Sequence, residues 1–267
     1  MNILNRFMNY TVFAGCSYTA GLGFELEKNE PALWVNQLHD KFFSHTTKLN
    51  ISQGGRSNAG IFQDTVKALV EYSVNYAIVE WTSAPRYELE LGFELYPTRQ
   101  VFIPRSDCQS INTHSINYSS DYLKAIQDRF TTLAHDCYEI SNLVNYVNII
   151  LKLSKLTNTQ VFFVNGLCSW DQDFFVKKTN CLPDQYTKYT QQLLNSKTRD
   201  DDEVFKLYHK MHDTFNSAGT INQEHWLNLY GCMRNQRIDV NQDKMHPGIQ
   251  SNNLYVEQFS KRLEQLI

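Results

Sequence analysis

Three residue types able to run acyl-transfer chemistry stand at opposite ends of this chain. Ser17 lies in Gly15-Cys16-Ser17-Tyr18-Thr19, just past the first apolar run, while an aspartate and a histidine lie in Asp243-Lys244-Met245-His246-Pro247. A serine hydroxyl is a weak nucleophile at neutral pH, so it needs an imidazole to take its proton and a carboxylate to hold that imidazole in the right tautomer. Ser17, His246 and Asp243 supply those parts. The plainer reading makes Ser17 a turn serine capping a helix, and Asp243 with His246 a surface loop before a C-terminal helix.

The elements that must position these groups are legible as strand and helix patterns. Tyr10 to Gly15 is a short apolar, β-branched and aromatic run ending at a glycine, which predicts a buried strand and a tight turn carrying Ser17. Pro31 opens a helical pattern with Leu33, Trp34, Leu38 and Phe42 on one face, and Leu49 to Ser52 predicts a second short strand. The loop Gln53-Gly54-Gly55-Arg56-Ser57-Asn58 leads to a helix marked by Ile61, Thr65, Leu69 and Tyr72, with Ser57 or Asn58 as N-cap. Tyr76 to Trp81 predicts the third strand. A long helix through Ile140, Leu143, Val144, Val147, Leu151 and Ser154 precedes a fourth strand over Gln160 to Asn165, and a last helix runs from Asn253.

Strands alternating with helices imply βαβ units, a parallel sheet and right-handed crossovers, hence an α/β fold with helices sandwiching one sheet. Two stretches, roughly 88–135 and 168–241, break the alternation and are rich in Tyr, Asn, Asp and Trp. They read as insertions over the site within one domain spanning 1–267. The second contains a helical pattern from about Asp201 to Ser217, with Gly219 past its end.

Ligands of open parallel sheets bind outside the carboxyl ends of the strands, and loops after Gly15, Ser52 and Trp81 lie at such ends. Backbone N–H groups there can form an oxyanion hole, where Gly55 would allow close approach. At these blocks the chain resembles the SGNH (GDSL-like) hydrolases, a family of esterases, lipases, thioesterases and carbohydrate deacetylases. Gly15-Cys16-Ser17-Tyr18-Thr19 is similar to the family's Gly-Asp-Ser-x-Thr block, with Cys16 in place of the aspartate. Gly54-Gly55-Arg56-Ser57-Asn58 is similar to its second block, and Asp243-x-x-His246 to its last. The resemblance implies a three-layer, flavodoxin-like fold, Ser17 as nucleophile, His246 as base, Asp243 as its orienter, and N–H donors from Ser17 and Gly55. It also implies a third block, Gly-x-Asn-Asp, where this chain has Trp81-Thr82-Ser83-Ala84-Pro85-Arg86. Thr82, Ser83 or Arg86 would then replace the missing asparagine donor, or the site would work with two backbone donors and lose part of its rate. Asn58, Arg86 and Trp170 are the expected substrate contacts; a structural ion pair with Glu88 or Glu90 is the competing role for Arg86.

Other reactive residues read more plainly. Cys16 adjoins the serine but has no base of its own and is expected to be a buried thiol. His209, His212 and Asp213 share helical spacing, and with His225 they invite a metal reading; without the glutamate of a zinc helix they fit a solvated face, and no metal is expected. Trp170, Phe174, Trp226 and Tyr230 either line an aromatic cleft that stacks on a sugar or belong to the core.

Composition narrows the partners. A net charge of −3 and the lack of a Lys/Arg cluster exclude a nucleic-acid footprint and an anionic membrane surface. The six cysteines are scattered without a C-x-x-C pair, and no apolar run matches a signal peptide or membrane span, so a cytoplasmic protein with free thiols is expected. The expected activity is a serine esterase that removes an O-acyl group, such as acetyl, from a carbohydrate or small polar molecule through an acyl-enzyme, without a cofactor. The alternatives are an O-acyltransferase using the same intermediate, or a carbohydrate-binding or interaction protein of the same fold with little turnover.

Overall fold

The computed structural model describes residues 8–24, 30–82, 87–93, 96–102, 110–112, 136–167, 223–228, 232–241 and 243–267. Four parallel strands form the central sheet: β1 (Asn9–Ala14), β2 (Thr47–Asn50), β3 (Ser73–Trp81) and β7 (Gln160–Asn165), in the order β2-β1-β3-β7. The central strands are apolar on both faces, as a doubly covered parallel sheet requires; Val12, Phe13, Ile78, Val79, Phe162 and Phe163 are all buried. Three further strands, β4 (Tyr87–Phe93), β5 (Tyr96–Phe102) and β6 (Ser110–Asn112), pair antiparallel as a separate small sheet in the first expected insertion.

Helices cover both faces of the central sheet. The steps from β1 to β2 and from β2 to β3 run in opposite directions across it, so right-handed crossovers place their helices on opposite sides. On one side α2 (Trp34–Leu38) packs against α6 (Ile249–Leu263): the Trp34 ring meets Phe13 of β1 at 5.9 Å and Phe259 at 5.5 Å, both edge to face. On the other, α3 (Asn58–Glu71) and α4 (Asp136–Thr157) meet through stacked rings of Phe62 and Tyr146, 4.5 Å apart. The expected three-layer α/β sandwich is the observed architecture. Among the described residues, no helix is long and apolar enough to cross a membrane.

Local chemistry explains most element boundaries. Ser57 caps α3 by accepting the Gly60 N–H at 3.1 Å, and Ile61, Thr65 and Leu69 face inward at the expected helical spacing. The helix expected from Pro31 is instead broken into a 3₁₀ turn (Glu30–Ala32), α2 and a π turn (His39–Phe43). Leu33 is extended and ends the first piece; the π turn adds a residue to the helical circuit, so Phe43 as well as Leu38 is fully buried. The last helix starts four residues before the expected Asn253, at Ile249, because Asp239 caps it from outside. That carboxylate accepts the N–H groups of Gln250 and Ser251 at 2.9 and 2.7 Å.

The second expected insertion is not wholly peripheral. Trp226 bridges Phe163 in parallel, Leu227 N–H donates to the Phe163 carbonyl at 2.9 Å, and Asn228 exchanges three hydrogen bonds with Asn165. Residues 223–228 thus extend the sheet beyond β7, and Trp226, Cys232 and Met233, which opens the short α5 (Met233–Gln236), join the core. The expected helix at Asp201–Ser217 lies outside the described residues.

Candidate active site

Ser17 opens α1 (Ser17–Ala20), a single turn that follows β1 after Gly15 and an extended Cys16 and stops at Gly21, φ 73°. As the first helical residue, Ser17 has an N–H with no acceptor inside the helix. Its side chain is buried, and its Oγ lies 4.0 Å from Cys16 Sγ. Among the described residues it makes no hydrogen bond to His246.

Asp243 and His246 form a self-contained turn. Asp243 Oδ1 accepts the N–H groups of Met245 and His246 at 2.9 and 3.0 Å, while Oδ2 pairs with His246 Nδ1 at 2.5 Å. A proton on Nδ1 directed at Asp243 leaves Nε2 as the ring's acceptor, the tautomer a general base requires. Burial raises the Asp243 pKa, but the His246 N–H, the His246 ring and the Met245 N–H outweigh it and bring it down to about 2. The turn is braced from outside: Asn241 N–H donates to the His246 carbonyl, Asn241 Nδ2 to the Pro247 carbonyl, and the Arg237 guanidinium to the Met245 carbonyl. Lys244 takes the left-handed conformation, φ 57°, that closes the turn.

Tertiary packing sets this turn against the serine. The Tyr18 ring meets the His246 ring edge to face at 5.9 Å. Gly23, φ 81°, lies so close to Asp243 that any Cβ would collide with its Oδ2. The residue after Ser17 therefore touches His246, and the loop after α1 touches Asp243. Burial raises the Tyr18 pKa to about 12 against the pull of nearby Arg237, so its phenol stays neutral.

The other strand ends close around the same turn. Gln53 N–H donates to the Gly15 carbonyl at 3.2 Å, and Asn50 Nδ2 to the Thr19 carbonyl at 3.0 Å, which draws the loop carrying Gly55 to the serine. Gly55 has φ 76°, a conformation that favours glycine. Both polar atoms of the Asn58 side chain bond the Thr82 main chain: Oδ1 accepts the Thr82 N–H at 2.9 Å and Nδ2 donates to its carbonyl at 3.4 Å. Among the described residues, Thr82 Oγ1 is fully buried without a hydrogen-bond partner.

The fold thus draws the Ser17 turn, the Gly55 loop, Asn58, Thr82, Asp243 and His246 to one end of the sheet. Ser83, Arg86 and Trp170 lie outside the described residues, as do Phe174, His209, His212, Asp213 and Tyr230. Trp226 is core, and His225 is held by the Val161 carbonyl at 2.9 Å. Among the described residues, no group of His, Cys, Asp and Glu could hold a metal. Sequence reasoning missed Tyr18, Gly23, Asn241 and the buried Glu80. Of these only Glu80 had a signal, a lone carboxylate inside the apolar run Tyr76-Ala77-Ile78-Val79-Glu80-Trp81.

No family model and no curated sequence matches this chain. Solved structures similar to it include TesA, at 12% identity over 97% of this chain and 99% of that one, with a TM-score of 0.48. The psychrotrophic esterase EstA from Pseudoalteromonas sp. is 12% identical over 96% and 97%, with a TM-score of 0.48. A GDSL-like lipase from Bacteroides thetaiotaomicron is 10% identical over 97% and 89%, with a TM-score of 0.43.

Proposed function

We propose that the protein is a serine hydrolase acting on a carboxylic ester, with an O-acyl group on a carbohydrate or small polar molecule as substrate. The observation that carries this reading is the Asp243–His246 pair seated on the Ser17 turn through Tyr18 and Gly23. Ser17 Oγ attacks the carbonyl carbon as its proton passes to His246 Nε2, and the carbonyl oxygen takes the negative charge. Collapse expels the alcohol, which leaves with that proton. Water, deprotonated by His246, then attacks the acyl-enzyme; the proton returns to Ser17 Oγ as the acid departs.

The oxyanion is assigned to the N–H groups of Ser17 and Gly55, with Thr82 Oγ1 and Ser83 in place of an asparagine. The unpartnered Thr82 hydroxyl supports its part, since its N–H is already given to Asn58. Asn58, expected to contact substrate, instead commits both polar atoms of its side chain to the Thr82 main chain and is assigned the role of a latch on the end of β3, which leaves Arg86 and Trp170 as the proposed substrate contacts. A cytoplasmic setting is part of this reading.

The purified protein should hydrolyse p-nitrophenyl acetate, and Ser17→Ala and His246→Ala should each abolish turnover. A fluorophosphonate should label Ser17; equal rates for wild type and Ser17→Ala overturn the proposal. One observation favours a second reading, a glycan-binding protein with little turnover: the Ser17 hydroxyl faces Cys16 Sγ rather than the base. That reading requires specific glycan binding unaffected by Ser17→Ala, with ester hydrolysis at background.

A further inference from the structure

We propose that Glu80 is a positioning residue that fixes the Ser17 turn from beneath, an inference that rests on the esterase reading above. Glu80 sits near the end of β3 with no solvent exposure, between the buried Val79 and Trp81. A carboxylate in such a place is costly unless donors surround it. Three donors come from the one turn that carries the nucleophile. Cys16 N–H reaches Oε2 at 3.0 Å, the Cys16 thiol donates to Oε1 at 3.0 Å, and Thr19 Oγ1 donates to Oε2 at 2.5 Å. These residues bracket Ser17 on both sides.

The surrounding backbone leaves room for the carboxylate. A Cβ on Gly15 would lie 2.5 Å from Glu80 Oε2, and one on Gly166, just past β7, would collide with Oε1. Gly166 N–H in turn donates to the Trp81 carbonyl at 2.9 Å, so the carboxylate lies between the exits of β1 and β7. An apolar side chain would fill this space but would leave the Cys16 N–H and Thr19 hydroxyl without their acceptor. The carboxylate therefore sets the pitch of the turn, and with it the line from Ser17 Oγ to His246.

The test compares the full-length wild type with Glu80→Gln and Thr19→Val, reading steady-state hydrolysis of p-nitrophenyl acetate and peptide-level hydrogen exchange of residues 15–20. Glu80→Gln should keep the wild-type circular dichroism and a KM within about twofold, lower kcat by about tenfold or more, and speed exchange in this turn. Thr19→Val, which removes one donor, should show the same pattern at about threefold. A folded Glu80→Gln with wild-type kcat and wild-type exchange overturns the proposal. Should Glu80→Gln fail to fold, Thr19→Val decides: unchanged kcat and exchange overturn it, a kcat loss at constant KM supports it. A wild type that turns over no ester removes the esterase reading instead, and the exchange comparison still decides whether Glu80 holds the turn.

Discussion

Asp243 divides its two oxygens between backbone and ring, and that division defines the chemistry of the turn. Because its folded pKa of about 2 lies below the ordinary 3.8, its bonds stabilise the turn fully above the ordinary value and are lost as pH falls towards 2. A carboxyl NMR titration should place its midpoint near 2 in the wild type and higher in His246→Ala, which lacks the ring. Asp243→Asn should cut kcat on the order of 10,000-fold by disfavouring the tautomer with Nε2 free, measured against p-nitrophenyl acetate. Thr82→Val, nearly isosteric, should lower kcat by about 100-fold at little change in KM if its hydroxyl serves the oxyanion.

At the level of elements, caps and latches carry the precision of the site. Ser57→Ala removes the α3 cap and should cost about 1 kcal/mol, read by urea denaturation. Asp239 acts at longer range: it accepts two N–H groups at the start of α6 and, through Asp239 Oδ2, leaves no room for a Cβ on Gly248, so one carboxylate sets the start of the helix. Asn58 does the same between α3 and β3, which is why the loop bearing Gly55 and the end of β3 share one rim.

Across the whole molecule, the sheet is the base whose strand exits meet at the candidate site. Phe163 packs with Trp81, Trp226 and His225 around its ring, and is fully buried. Phe163→Ala should destabilise the protein by about 3–5 kcal/mol in chemical denaturation, through lost burial and a cavity. The same change would loosen the 223–228 segment, whose His225 and Trp226 rings pack on the Phe163 ring.

The chain's own pattern determined the parallel sheet and its covering helices, and it singled out Ser17, Gly55, Asp243 and His246 as candidates, because period-2 and period-3.6 apolar spacing and short turn motifs are local signals. Strand β7 and the Ser57 cap are legible for that reason. Local spacing carries no record of what packs against what. The split of the Pro31 helix, the joining of Trp226 to the core, the capping of α6 by Asp239 and the burial of Glu80 under the serine turn all depend on partners distant in sequence. So does the meeting of Tyr18 and Gly23 with the Asp243–His246 turn, which only the closed sheet brings about.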